Sequence, residues 1–297
     1  MKLPNVTVWT SASGIPWYVA GMILFAGMDV ISKTLVQTLP LAGILWVRYI
    51  FYAGFGLILV LKLSGLKGLK SKALSLQWVR GLAMLGDVAL FVVSFRFLQL
   101  AEAHSIAAIA PLMVTALAVT MLGERVGRRR WTAVLIGFCG VLVILRPGSD
   151  IFQPVAILPL IATFSFSIYL VLTKIVSRQD GLGTTVFYPG LIGLVILSLI
   201  APFQWQSPTL EEWSLLVLAS LLAVGAHICV IRGLSLSDAS LLQPFNYVLL
   251  LAAIILGFLV FDHFPDAITL SGAGLVVVSG LYVWWRERSR INDQGDG

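Results

Sequence analysis

Charge is scarce in this chain. Only 11% of its 297 residues are Asp, Glu, Lys or Arg, against 59% hydrophobic, whereas a soluble domain carries about 25% charged residues. A water-soluble fold would have to bury most of this apolar surface in one small core with too little polar surface to cover it. Cysteine is nearly absent: Cys139 and Cys229 stand alone inside apolar segments, as small buried hydrophobes do, and show no metal-ligand spacing. The three histidines, His104, His227 and His263, form neither an HExxH pair nor a Ser/His/Asp set. No Gly-rich phosphate loop is present, which argues against an ATP-driven pump. Nothing implies a cofactor or an enzyme.

What is abundant is apolar sequence in runs of about 20 positions, the length that crosses a 30 Å hydrocarbon layer. Mean hydropathy is +0.96. The runs are too long for barrel strands, so the spans are helical. Ten are expected, near 15–37, 42–62, 76–97, 101–121, 130–146, 152–176, 184–201, 211–232, 238–260 and 267–286. Only Lys2 precedes the first, with no small-residue cleavage motif, so it is expected to stay as a span. With a cytoplasmic N-terminus, sixteen of the twenty Lys and Arg residues fall on one side, including Lys62, Lys67, Lys70, Lys72, Arg80, Arg125 and Arg128. That bias predicts an inner-membrane, multi-pass protein with both termini in the cytoplasm. The net charge of +6 therefore reports loop placement and gives no reason to expect nucleic acid as a partner.

The chain also repeats itself. Residues 101–145 return in weaker form as 237–285: Ala103 pairs with Ala239, Glu124 with Asp262, Ala133 with Ala273 and Gly140 with Gly280. The midpoint follows the fifth span, near Pro147, and five is odd. The second half must then enter the membrane from the opposite side, giving two inverted-topology five-helix repeats. Such repeats allow one site near the midplane to face either side in turn.

In residues 101–145, Pro111, the turn Gly123-Glu124-Arg125 and Gly140 resemble the closing two-helix element of the EamA domain of the drug/metabolite transporter superfamily. Trp46-Val47-Arg48-Tyr49 is similar to that family's Arg followed by an aromatic. The second copy departs, with Phe261-Asp262-His263 in place of the Gly-Glu-Arg turn and its proline earlier, at Pro244. The resemblance implies an EamA-like repeat over 15–146, an inverted one over 152–286 and a cytoplasmic tail over 287–297. It implies a secondary transporter of small organic solutes, and its overall layout is similar to bacterial exporters of aromatic amino acids.

Charges at membrane depth are functional candidates by default. Asp29 and Lys33 lie four residues apart on one helical face, suited either to an internal pair or to a substrate. Asp87 lacks a local partner, and Arg48 either snorkels outward or receives a carboxylate. His104, Tyr169, His227, Gln243, Asn246 and Tyr247 are polar candidates for a cavity, or for interhelical hydrogen bonds. Pro111 and Pro244 bend their helices and are candidate hinges. Phe95, Phe164, Tyr169, Phe187 and Phe245 are the candidate walls of an aromatic box. Glu102 and Asp238 suit helix starts.

The expected activity is export of amino acids, aromatic or otherwise neutral, by alternating access, with proton coupling open and a monomer sufficient to form the cavity. Sugars, nucleotide-sugars or other metabolites are the alternative solutes. A membrane scaffold or a lipid-modifying enzyme is the alternative class.

Overall fold

The computed structural model describes residues 12–122, 128–145, 154–237, 239–275, 277–279 and 281–282. Among them there is no strand. The helices are α1 (Ile15–Thr38), α2 (Leu41–Ser64), α3 (Leu74–Ser94), α4 (Leu100–Ala107), α5 (Ala110–Leu122), α6 (Arg128–Leu145), α7 (Ile157–Val176), α8 (Leu182–Ser198), α9 (Leu210–Leu236), α10 (Ala239–Leu242), α11 (Tyr247–Phe261) and α12 (Ala267–Ser279). Six stretches are long and apolar enough to span a membrane and four shorter apolar helices accompany them, so the ten expected spans all have counterparts. The turn Gly123-Glu124-Arg125, the repeat junction at 146–153, Asp238, Gly280 and the tail lie outside the described residues.

Two expected spans are not continuous helices. The fourth breaks between α4 and α5 at Ala108-Ile109, where Ile109 N donates to Ile106 O at 3.4 Å in a tightened turn. The ninth breaks in the 3-10 turn Gln243–Asn246 between α10 and α11. Aligning Ala103 with Ala239 places Ala108-Ile109 on Pro244-Phe245, so both halves interrupt the same helix at the same point.

The packing is equally paired. Helix α1 runs along α9 as α7 runs along α3, α5 packs on α7 as α11 packs on α1, and α2 crosses its counterpart α8. Glycines show the direction of that last contact. A Cβ on Gly183 would meet Val60, on Gly190 Tyr52 and Ala53, and on Gly193 Tyr49, so α8 rises as α2 descends. Equivalent helices that meet antiparallel are related by an axis across the bundle, as inverted repeats require. Small residues permit this closeness, the usual basis of helix association in lipid. Among the described residues, α1, α2 and α3 pack extensively against α7, α8 and α9, and Gly272 meets Gly140 and Ile144 in a contact between α6 and α12.

Helix ends are fixed by short-range chemistry. Thr209 and Glu212 form a capping box at the start of α9, and Glu102 Oε2 accepts Gln99 N at 2.9 Å before α4, the capping role expected of it. At the end of α11 Asp262, the counterpart of Glu124, adopts the left-handed conformation at φ 54°, a region Asp tolerates better than most residues.

The linkers close the two ends differently. Between α7 and α8, Asp180 accepts from Ser71 Oγ (2.5 Å), Lys72 N (2.8 Å) and Gln77 Nε2 (2.9 Å), fastening the α2–α3 linker. At the other end the linker before α9 is held through Trp205, whose ring meets Trp46 edge-on at 5.6 Å, and through Thr38 Oγ1 donating to Glu212 Oε1 at 2.6 Å.

Candidate substrate-binding site

A cavity opens between the halves, with about 800 Å³ of atom-free space counting its mouth. Ala107 and Ala110 flank the first helix break and Asn246 ends the second, and all three line it. Both interruptions thus face one space, an arrangement that places irregular backbone where it borders a cavity rather than lipid.

Six of the ten residues expected at the site line this cavity: Asp29, Arg48, Asp87, His104, His227 and Asn246. They come from α1, α2, α3, α4, α9 and the turn before α11. Asp29 does not pair with Lys33. Its Oδ2 stands 3.1 Å from His104 Nε2 with both side chains under 10% exposed.

Arg48 does not snorkel. It is 4% exposed, and its Nη2 donates to Ser32 Oγ at 2.6 Å, while Ser32 donates in turn to Met28 O. Its Nε and Nη1 are buried and meet no protein acceptor. An unpaired guanidinium edge is costly to bury, and this one borders the cavity. Asp87, half-buried because it faces the cavity, supplies the second carboxylate. Asn246 Oδ1 is also buried without a donor.

Tyr169 sits just behind the wall, fully buried, its hydroxyl 3.3 Å from His227 Nδ1. His227 is also wedged against Phe25 (4.9 Å) and Tyr52 (5.1 Å). Lys33 lies away from the lining and donates to Phe95 O and Leu98 O. Tyr247 is buried and does not line the cavity. The side chains of Gln243 and Pro244 fall outside the described residues. Pro111 directly follows Ala110, and Pro244 lies within the second break.

The aromatic walls differ from those expected. They are Phe25, Tyr49, Tyr52, Phe91 and Phe166, whereas Phe164 is 47% exposed on the outer face and Phe187 packs against Gly56. A signal for the true walls was present. Phe25 precedes Asp29 by four, Tyr52 follows Arg48 by four and Phe91 follows Asp87 by four, so each buried charge carries an aromatic on its own helical face. Arg80, grouped by sequence with the cytoplasmic loops, is instead fully buried. It donates to Thr173 Oγ1 and Thr185 O and lies over the Tyr169 ring.

Two halves meeting across an axis in the membrane plane, with broken helices and opposed charges around one cavity, define a multi-pass carrier of small organic solutes. The family model of the EamA-like transporter family matches residues 12–146 and again 153–285. The chain belongs to that family, and it is a transporter rather than an enzyme. It is 24% identical to an S-adenosylmethionine uptake transporter of Rickettsia bellii over 97% of this chain and 99% of that one. It is 33% identical to a riboflavin transporter of Vibrio cholerae over 61% and 62% of the two chains. A pseudopaline exporter of Pseudomonas aeruginosa is 26% identical over 90% of this chain and 94% of that one. A solved crystal structure superposes with a TM-score of 0.70 at 18% identity, covering 94% of this chain and 99% of the other.

Proposed function

We propose that this protein moves a zwitterionic metabolite that bears a flat ring system, by alternating access between two inverted repeats over 15–146 and 152–286 with both termini in the cytoplasm. The observation that carries the reading is the unpaired edge of Arg48 opposite Asp29 and Asp87 in an aromatic-lined cavity. The guanidinium receives a carboxylate in a forked geometry, the acids receive a cationic centre, and the rings of Phe25, Tyr49, Tyr52, Phe91 and Phe166 flank the planar part. Two acids and one arginine in the same lining favour a solute that carries both positive and negative centres. His104, His227 and Asn246 supply hydrogen bonds around it.

The relatives that carry S-adenosylmethionine, riboflavin and pseudopaline support a metabolite larger than a free amino acid. Aromatic amino acids are the smallest solutes of the same description and form the second reading, favoured by the same juxtaposition of Arg48 and the acids.

Counterflow in proteoliposomes tests this, using S-adenosylmethionine, riboflavin and tryptophan, each with and without a proton gradient. Arg48→Gln is expected to weaken half-saturation for the carboxylate-bearing solutes roughly 10- to 100-fold, the size of a lost charged hydrogen bond, and that for riboflavin less than threefold. Equal losses for charged and neutral solutes in folded protein would remove Arg48 from the site. Saturable flux of tryptophan alone would promote the amino-acid reading, and its stimulation by the gradient would establish proton coupling.

A further inference from the structure

Lys33 and Lys174 each stand 21 residues beyond the start of a matched repeat, residues 12 and 153. Neither borders the cavity. Lys33 Nζ donates to Phe95 O at 3.3 Å and Leu98 O at 2.7 Å. Lys174 Nζ donates to Leu234 O at 3.1 Å and Ser237 O at 2.8 Å. In the aligned turns Leu98-Gln99-Leu100-Ala101 and Leu234-Ser235-Leu236-Ser237, Leu98 and Leu234 occupy the same position. One lysine in each half therefore reaches the same carbonyl of its own repeat.

Those carbonyls belong to the ends of α3 and α9 and to the turns that follow. Helix C-termini leave carbonyls unsatisfied and favour a cation. The chain then enters α4 or α10, the short segments that stop at the two helix breaks. Each lysine thus fixes the first helix of its half to the base of its broken helix. Both joined elements carry cavity groups: in the first half Asp29 and His104, in the second Thr163 and Asn246. Because the halves are inverted, the two lysines act at opposite ends of the bundle.

We infer that Lys33 and Lys174 are a symmetry-related pair of positioning residues for transport, each making the first helix and the broken helix of its half move as one unit. The inference rests on the carrier reading. Loosening one clamp loosens one half, and therefore one face of the membrane, so the two lesions have opposite consequences for the balance between the outward-open and inward-open forms.

Two measurements on full-length protein test it, with Lys33→Met and Lys174→Met, which keep side-chain length and remove the donor. In amide hydrogen exchange, Lys33→Met is expected to speed exchange at least tenfold across residues 98–109 and leave 234–246 within threefold, and Lys174→Met to do the converse. In oriented proteoliposomes, the ratio of half-saturation on the two faces is expected to shift at least fivefold, in opposite directions for the two variants. Lys→Arg, which also donates to two carbonyls, is expected to restore both readouts. Shifts in the same direction, exchange that rises in both halves together, or flux lost in step with solute binding would overturn the pairing. If the wild-type protein carries none of the solutes offered, the substrate reading fails while hydrogen exchange still decides the clamps.

Discussion

The contact between α2 and α8 makes a quantitative demand on Gly190. A Cβ there would lie 2.8 Å from Ala53 N and 2.9 Å from Tyr52 C, about 0.6 Å inside an ordinary contact that begins near 3.4 Å. The obstructing atoms are backbone, so no side chain can rotate aside and the helices must separate by about that amount. Overpacking of this kind costs about 1–3 kcal/mol. Gly190→Ala should therefore lower the unfolding midpoint in detergent. It should also weaken solute binding, because Arg48, Tyr49 and Tyr52 sit on the displaced face of α2. Gly54→Ala is the control: it lies on α2, the other helix of this crossing, with no heavy atom within 4 Å of the added carbon, and Ala is the better helix former. Its midpoint should hold or rise. Thermal unfolding and titration of both variants decide the matter. An unchanged midpoint for Gly190→Ala with intact binding would refute the close antiparallel crossing, and with it the geometric case for inversion.

Further outcomes are expected elsewhere. Asp262→Val should destabilise the protein by about 1–2 kcal/mol, because a β-branched residue resists φ 54°, whereas Asp262→Gly should be neutral or stabilising; thermal unfolding separates the two. Ser32→Ala removes the support of Arg48 Nη2 without touching the cavity, and should raise half-saturation for carboxylate-bearing solutes by roughly tenfold with little effect on riboflavin. Asp180→Ala deprives Ser71, Lys72 and Gln77 of their shared acceptor and should increase reagent access to a cysteine placed at Gln77, with unaltered access a disproof of the fastening.

The spans were legible because hydrophobic length is a local property, and the repeat because small residues and turns recur in register. The helix breaks were only half visible. Pro244 lies within one and Pro111 follows the other by two residues, its missing N–H leaving Ala107 O without a helical donor, but neither proline tells a kinked helix from an interrupted one. Asp29 and Lys33 illustrate the limit of local spacing. Four residues apart, they suit a pair on an isolated helix, yet tertiary packing offers Asp29 a histidine from α4 and Lys33 two carbonyls beyond α3. Arg80 misled for a similar reason, since a basic residue near a span end reads as a loop charge until α7 and α8 close over it. Three of the five aromatic walls, Phe25, Tyr52 and Phe91, were encoded one turn from a charge of the lining, a pattern that gains meaning only once those charges are known to share a space.

The unlike fastenings at the two ends give this symmetric frame a direction. A backbone that maps onto itself has no reason to prefer either face, so any preference must come from side chains. At one end three hydrogen bonds converge on Asp180, which water can replace one at a time as the linker lifts. At the other, Trp205 is stacked edge-on against Trp46, and its release exposes aromatic surface all at once. The first closure resembles a seam and the second a latch. Cooling weakens apolar burial and should act chiefly on the latch, so the resting orientation of the carrier becomes a property of its surroundings as well as of its cargo.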